Sequence, residues 1–135
     1  MSQVTTRVIG QGGANFVLHV SLASDGVEGE LDNYVLVDPA TFIPPLPRQP
    51  ALRIMQIWSS MVWFDIVIKY GGLVPRPAWT LARDTTNYID FRVFGGISDD
   101  GQPPPSDDNG KVLISTNGFE AAGSQGNLVI AFRKS

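Results

Sequence analysis

The chain has 135 residues, 43% of them hydrophobic and only 17% charged, with 10 Lys and Arg against 13 Asp and Glu for a net charge of −3. That length holds one domain around one core, the acidic balance argues against nucleic acid as a partner, and the lack of cysteine excludes disulfides, Cys-ligated zinc and thiol catalysis. So small a share of charge also points to an exterior covered in part by something other than water.

The opening residues, MSQVTTRVIGQGG, are polar where a secretory signal needs an unbroken apolar core, and they read as the mature start. Residues 1–13 are a candidate flexible arm, with Gly10–Gly13 a flexible turn that fits neither the dinucleotide fingerprint nor the P-loop. In ANFVLHVSL, Phe16, Leu18, Val20 and Leu22 share one face and Asn15, His19 and Ser21 the other, the mark of a half-buried strand. ELDNYVLVD places Leu31, Val35 and Val37 together on one side. The connection over 38–50, DPATFIPPLPRQP, holds five prolines and is expected to run extended, with Phe42, Ile43 and Leu46 needing an apolar place to lie.

The richest stretch, MQIWSSMVWFDIVIKY over Met55–Tyr70, is interrupted by Gln56, Ser59, Ser60, Asp65 and Lys69, and it falls short of the roughly 18 apolar residues of a membrane helix. Its alternation favours strands. A two-residue turn at Ser59-Ser60 would set Trp58 opposite Met61, Ile57 opposite Val62 and Met55 opposite Phe64. One face then holds Met55, Ile57, Val62, Phe64 and Ile66 for the core. The other holds Ile54, Gln56, Trp58, Met61, Trp63, Asp65 and Val67, and it is too apolar to face water uncovered. Ser-Ser lacks the Gly or Asn favoured in such turns, so a longer loop or a bulge would exchange the two faces.

Further on, YIDFRVF directs Ile89, Phe91 and Val93 inward, and 95–110 reads as an exposed loop ending in the turn dipeptide Asn109-Gly110. KVLIST and NLVIAFRK are strands, the latter aligning Leu128, Ile130 and Phe132 inward; Glu120–Ala122 is the one candidate helical turn. Together these segments describe an all-β chain, a single-domain β-sandwich or jelly roll of about eight antiparallel strands with long Pro/Gly-rich loops.

No segment carries a catalytic or cofactor signature. His19 is the one histidine and sits on the polar side of its strand, which leaves neither a zinc set nor a catalytic triad. Asp99, Asp100, Asp107 and Asp108 lack the spacing of a calcium loop and read as solvated acids. Asp65 and Asp90 are a weak candidate carboxylate pair, with Lys69 and Arg92 as their expected cross-strand partners. Trp58, Trp63, Trp79, Tyr70 and Tyr88 offer an aromatic platform for a sugar or peptide, although packing is the simpler use of such residues.

The segments LRIMQIWSSMVWFDIVIKY and GKVLISTNGFEAAGSQGNLVIAFRKS resemble small virion structural proteins of tailed bacteriophages, of the capsid decoration or cement type. The likeness covers 52–70 and 110–135, a third of the chain, and is a pattern of β segments rather than a catalytic motif. It implies a non-enzymatic, cofactor-free protein of the virion, assembled in the host cytoplasm. Such a protein binds the major capsid protein or other virion subunits as a homo-oligomer and stabilises the head, without touching nucleic acid or membrane. Trp58, Met61, Trp63 and Val67 are the expected partner interface, with Phe42, Ile43 and Leu46 as a second anchor and no metal or catalytic residue. A tail or fibre component, or a carbohydrate-binding β-sandwich module, is the alternative.

Overall fold

The computed structural model describes residues 3–12, 15–24, 31–38, 52–71, 76–82, 84, 86–97, 111–119 and 123–134. The strands among them are β1 (Gln3–Gly12), β2 (Asn15–Ala23), β3 (Tyr34–Val37), β4 (Leu52–Val62), β5 (Asp65–Tyr70), β6 (Arg76–Leu81), β7 (Thr86–Asp90), β8 (Val112–Asn117) and β9 (Gln125–Lys134). They form a five-stranded sheet ordered β1-β2-β9-β4-β7 and a four-stranded sheet ordered β3-β8-β5-β6, with every pairing antiparallel. The described residues form the expected all-β sandwich of antiparallel strands, nine among them against the eight or so read from the sequence.

Strict alternation builds the core. Phe16, Leu18, Val20 and Leu22 of β2 and Leu128, Ile130 and Phe132 of β9 are buried from one sheet. Phe64, Ile66, Ile68 and Tyr70, at and along β5, and Val112 and Ile114 of β8 meet them from the other. Phe64 packs on Phe119 with ring centroids 4.7 Å apart, and each such buried side chain contributes roughly 1.5–3 kcal/mol relative to exposure. Gly126 in β9 makes room for this: a Cβ there would stand 2.9 Å from both Met61 Cγ and Phe64 Cζ.

The stretch Met55–Tyr70 departs from the expected hairpin. Ser59 and Ser60 form no turn; β4 runs straight through them, pairing with β9 on one side and β7 on the other. The reversal comes at Trp63, where φ is +72° and the Asp84 carboxylate accepts the Trp63 backbone N–H at 2.8 Å. There the chain passes from the five-stranded sheet into the four-stranded one, so β4 and β5 are not neighbours.

The unbroken run of β4 and a bulge within it together account for the exchanged faces. Register with β9 shifts between Ile54 and Gln56, so the buried set changes from Leu52 and Ile54 to Ile57, Ser59 and Met61. Met61 and Ile54 are therefore core, while Val62 is 37% exposed. At the bulge the Met55 carbonyl accepts the Phe91 N–H at 2.8 Å, and Ile54 and Ile97 exchange two backbone bonds of 2.8 Å. Gly96, at φ +90°, allows this close approach, since a Cβ would fall 2.5 Å from Met55 Sδ.

Other expectations change as well. Residues 3–12 are not a flexible arm; they form β1, and Gly10 and Gly12 belong to that strand. Val93 is 87% exposed because the chain turns into a 3-10 helix over Arg92–Phe94 instead of continuing β7. Val35 points out because register with β8 shifts between Val35 and Val37. Of 95–110, Gly95–Ile97 is described and is tied to β4. Residues 98–110, 39–50 and 120–122 lie outside the described residues, and with them the acidic loop, most of the proline-rich connection and the candidate helical turn.

Candidate binding site on the five-stranded sheet

The outer face of the five-stranded sheet follows from strand register. One row across it reads Arg7, His19, Val129, Trp58 and Tyr88; the next reads Thr5, Ser21, Asn127, Ser60 and Thr86. These residues alternate with the buried ones along each strand, which sends them to the opposite side of the sheet.

Trp58 and Tyr88 face each other across β4 and β7 with ring centroids 5.1 Å apart and planes tilted by 30°. They are 39% and 50% exposed, a large aromatic surface left in water. The Gln56 amide donates to the Tyr88 hydroxyl at 2.6 Å, which fixes the ring. Beside the pair lies a shallow depression of about 370 Å³ lined by Trp58, Ser59, Ser60, Thr86, Tyr88, Asn127 and Val129. Its walls hold hydroxyls and one amide and no charged group. Thr86 Oγ1 lies 3.5 Å from Ser60 Oγ, and Asn127 Oδ1 lies 3.1 Å from His19 Nε2.

A second depression of about 590 Å³ adjoins it, lined by Asn15, Val17, Met55, Gln56, Arg92, Ala131, Phe132 and Arg133. Asp90 grips Arg92 in a two-pronged ion pair, with Nη2 to Oδ2 at 2.8 Å and Nε to Oδ1 at 3.0 Å. Hydrogen bonds from the Arg92 guanidinium and backbone hold the Asp90 carboxyl well below the usual range, at about 2. The bond is local along the chain, not the cross-strand pairing expected. Asp65 lies in the other sheet, so the two carboxylates do not form a pair.

The structure separates the expected interface residues. Trp58 stands on the outer face as read, but Met61 is 2% exposed and belongs to the core. Trp63 is 53% exposed at the crossover, beyond the end of β4, and its ring lies over Gly123. Val67 is on the four-stranded sheet opposite Ser115 and Thr80. Phe42, Ile43 and Leu46 lie outside the described residues.

The aromatic platform divides in the same way. Tyr70 is buried, with its hydroxyl donating to the Ile97 carbonyl at 2.6 Å, and Trp79 packs edge-on against Phe91 at 4.9 Å. Gln56 shares the outer face with Trp58 as read; what sequence reasoning missed is the rest of the neighbourhood of Trp58: Ser60, Thr86, Asn127 and Val129. Each sits at an outward position of an alternating strand, but only strand order brings them together.

Among the described residues no group of three or more His, Asp or Glu side chains is placed to hold a metal ion, and no helix is long and apolar enough to cross a membrane. No protein-family model, curated protein or solved structure matches the chain.

Proposed function

We propose that this chain is a non-enzymatic structural protein of a tailed-phage virion, binding the head surface through the outer face of its five-stranded sheet and stabilising the assembled shell. The observation that carries the reading is the Trp58–Tyr88 pair, two stacked rings left 39% and 50% exposed on a face centred on Val17, Val129 and Ala131. Large, rigid aromatics of this kind anchor protein interfaces because they bury much area at little entropic cost. The sequence resemblance supplies the virion setting and the major capsid protein as partner.

The test uses particles lacking this chain, to which purified protein is added and co-sedimented. A Trp58→Ser, Tyr88→Ser variant is expected to bind at least ~10-fold more weakly, the equivalent of losing one interface anchor, while keeping its melting temperature within a few degrees. Undiminished binding by the folded variant overturns the reading. Mass spectrometry of purified particles supplies the companion measurement, with many copies per virion expected.

The uncharged depression supports a second reading. Trp58 with Ser60, Thr86 and Asn127 at its rim offers a flat apolar surface beside neutral hydrogen-bonding groups, the requirement for stacking a sugar ring. Saturable quenching of tryptophan fluorescence by a neutral oligosaccharide, lost in Trp58→Ser, identifies the site as glycan-binding and places the protein in a tail or host-recognition role.

A further inference from the structure

The four sheet edges of the sandwich are not alike. β7 is five residues long and ends in the Asp90–Arg92 ion pair and a 3-10 turn; β3 is four residues long and broken by a register shift. β6 contains Pro77, which cannot donate to a ladder. β1 differs from all three. It runs for ten residues, QVTTRVIGQG, with no proline and one charge, and among the described residues it pairs only with β2. Val8 and Ile9 on it are 49% and 50% exposed. Natural sheets shorten, charge or cover such edges, because a long row of unpaired N–H and C=O groups recruits another strand.

We infer that β1 is the interface for a second copy of this chain, joined edge to edge by antiparallel β1–β1 pairing about a two-fold axis at Thr6, giving a continuous ten-stranded sheet across two sandwiches. The sequence of the strand selects this register. In antiparallel pairing, residues directly opposite must share a side of the sheet, so the axis passes through a residue and not between two. An axis at Thr6 sets Val4 opposite the Val8 of the second copy and Thr5 opposite its Arg7.

Val4 and Val8 pair with Leu22 and Leu18 of β2, so their side chains lie toward the core side and the new contact extends the apolar layer. An axis at Arg7 would set two guanidinium groups face to face. An axis at Val8 would run into the bulge between Val8 and Gly10, and one at Thr5 would leave Val8 unpaired. This interface lies at the opposite edge of the sheet from Trp58 and Tyr88, so it goes beyond the proposed docking role and stands or falls separately.

The absence of cysteine makes the axis directly testable. Residues opposite each other across antiparallel strands have Cα atoms about 4.5–5.5 Å apart, within the range a disulfide spans. Thr6→Cys is therefore expected to give a cross-linked dimer on mild oxidation, whereas Thr86→Cys, equally exposed but on β7, is not. In sedimentation the unmodified chain is expected at twice its 14.6 kDa mass, and Thr6→Lys, which opposes two ammonium groups on the axis, at the single mass.

Circular dichroism checks that Thr6→Lys keeps its fold, and Trp58→Ser is expected to stay dimeric. A chain that sediments as a monomer at all accessible concentrations overturns the inference. So does a dimer that survives Thr6→Lys and fails to cross-link through Thr6→Cys.

Discussion

The two outer faces of the sandwich are finished differently. On the four-stranded sheet the polar groups answer one another: Lys69 Nζ donates to Asn33 Oδ1 at 3.2 Å, the Asn33 backbone N–H donates to Ser115 Oγ at 3.0 Å, and Lys111 lies 3.9 Å from Asp38. On the five-stranded sheet the centre is apolar and carries Trp58 and Tyr88 in water. A face whose hydrogen bonds close among its own residues has little to offer a partner. One that leaves two paired aromatics 39% and 50% exposed keeps apolar area for something else.

The comparison depends first on the β4 bulge, which sends Met61 in and Trp58 out. Met61→Ala is expected to cost about 2–5 kcal/mol in urea denaturation, as for other buried large-to-small changes. Trp58→Ala should cost only about 1 kcal/mol, most of it the lost stacking on Tyr88. Equal costs at the two positions would mean that the faces are assigned wrongly.

Next comes the contrast between sheets. Val67→Ser on the four-stranded face is expected to leave particle binding unchanged, against the tenfold or greater loss for the Trp58, Tyr88 variant. Lys69→Ala should shift stability by no more than about 1 kcal/mol, since its partner is polar and the site is near water.

A smaller effect concerns Ser59, buried at 4% exposure with a hydroxyl that has no hydrogen-bond partner among the described residues. Ser59→Ala is expected to be neutral or to stabilise by up to about 1 kcal/mol, because no bond is lost and an unsatisfied hydroxyl is removed. Removal of a real bond would show as a clear drop in melting temperature.

The smallest effect is in acid. Because the Asp90 carboxyl is depressed to about 2 in the folded chain, its contribution is fully present above the ordinary carboxylate value of 3.8 and is lost as pH falls toward 2. A carbon-detected NMR titration should find Asp90 ionised at pH 3, and Arg92→Ala should return it toward 3.8.

How far the sequence could be read followed the regularity of each strand. β2 and β9 were legible because their apolar residues alternate without interruption, and the structure buries the residues so identified. β1 was not, because threonines and glycines dilute Val4 and Val8, and β6 was hidden by Pro77. In β4 the turn expected at Ser59-Ser60 is absent and the strand runs on, which puts Met61 and Val62 on the sides opposite to those read, while the bulge at Met55 moves Ile54 into the core. The Trp58–Tyr88 pair was out of reach for a different reason. Each residue was recognisable alone as an exposed aromatic, but their meeting depends on β7 pairing with β4, a long-range choice that no local pattern encodes.

The place of β9 between β2 and β4 bears on how the fold carries mechanical load. A pull along the axis of β9 from Lys134 shears two ladders together, so many hydrogen bonds must fail at once. A pull on Gln3 opens the single β1–β2 ladder from its end, one pair after another. In the proposed virion role, a shell that swells under internal pressure would therefore be restrained better through the β9 end of this sandwich than through the β1 end.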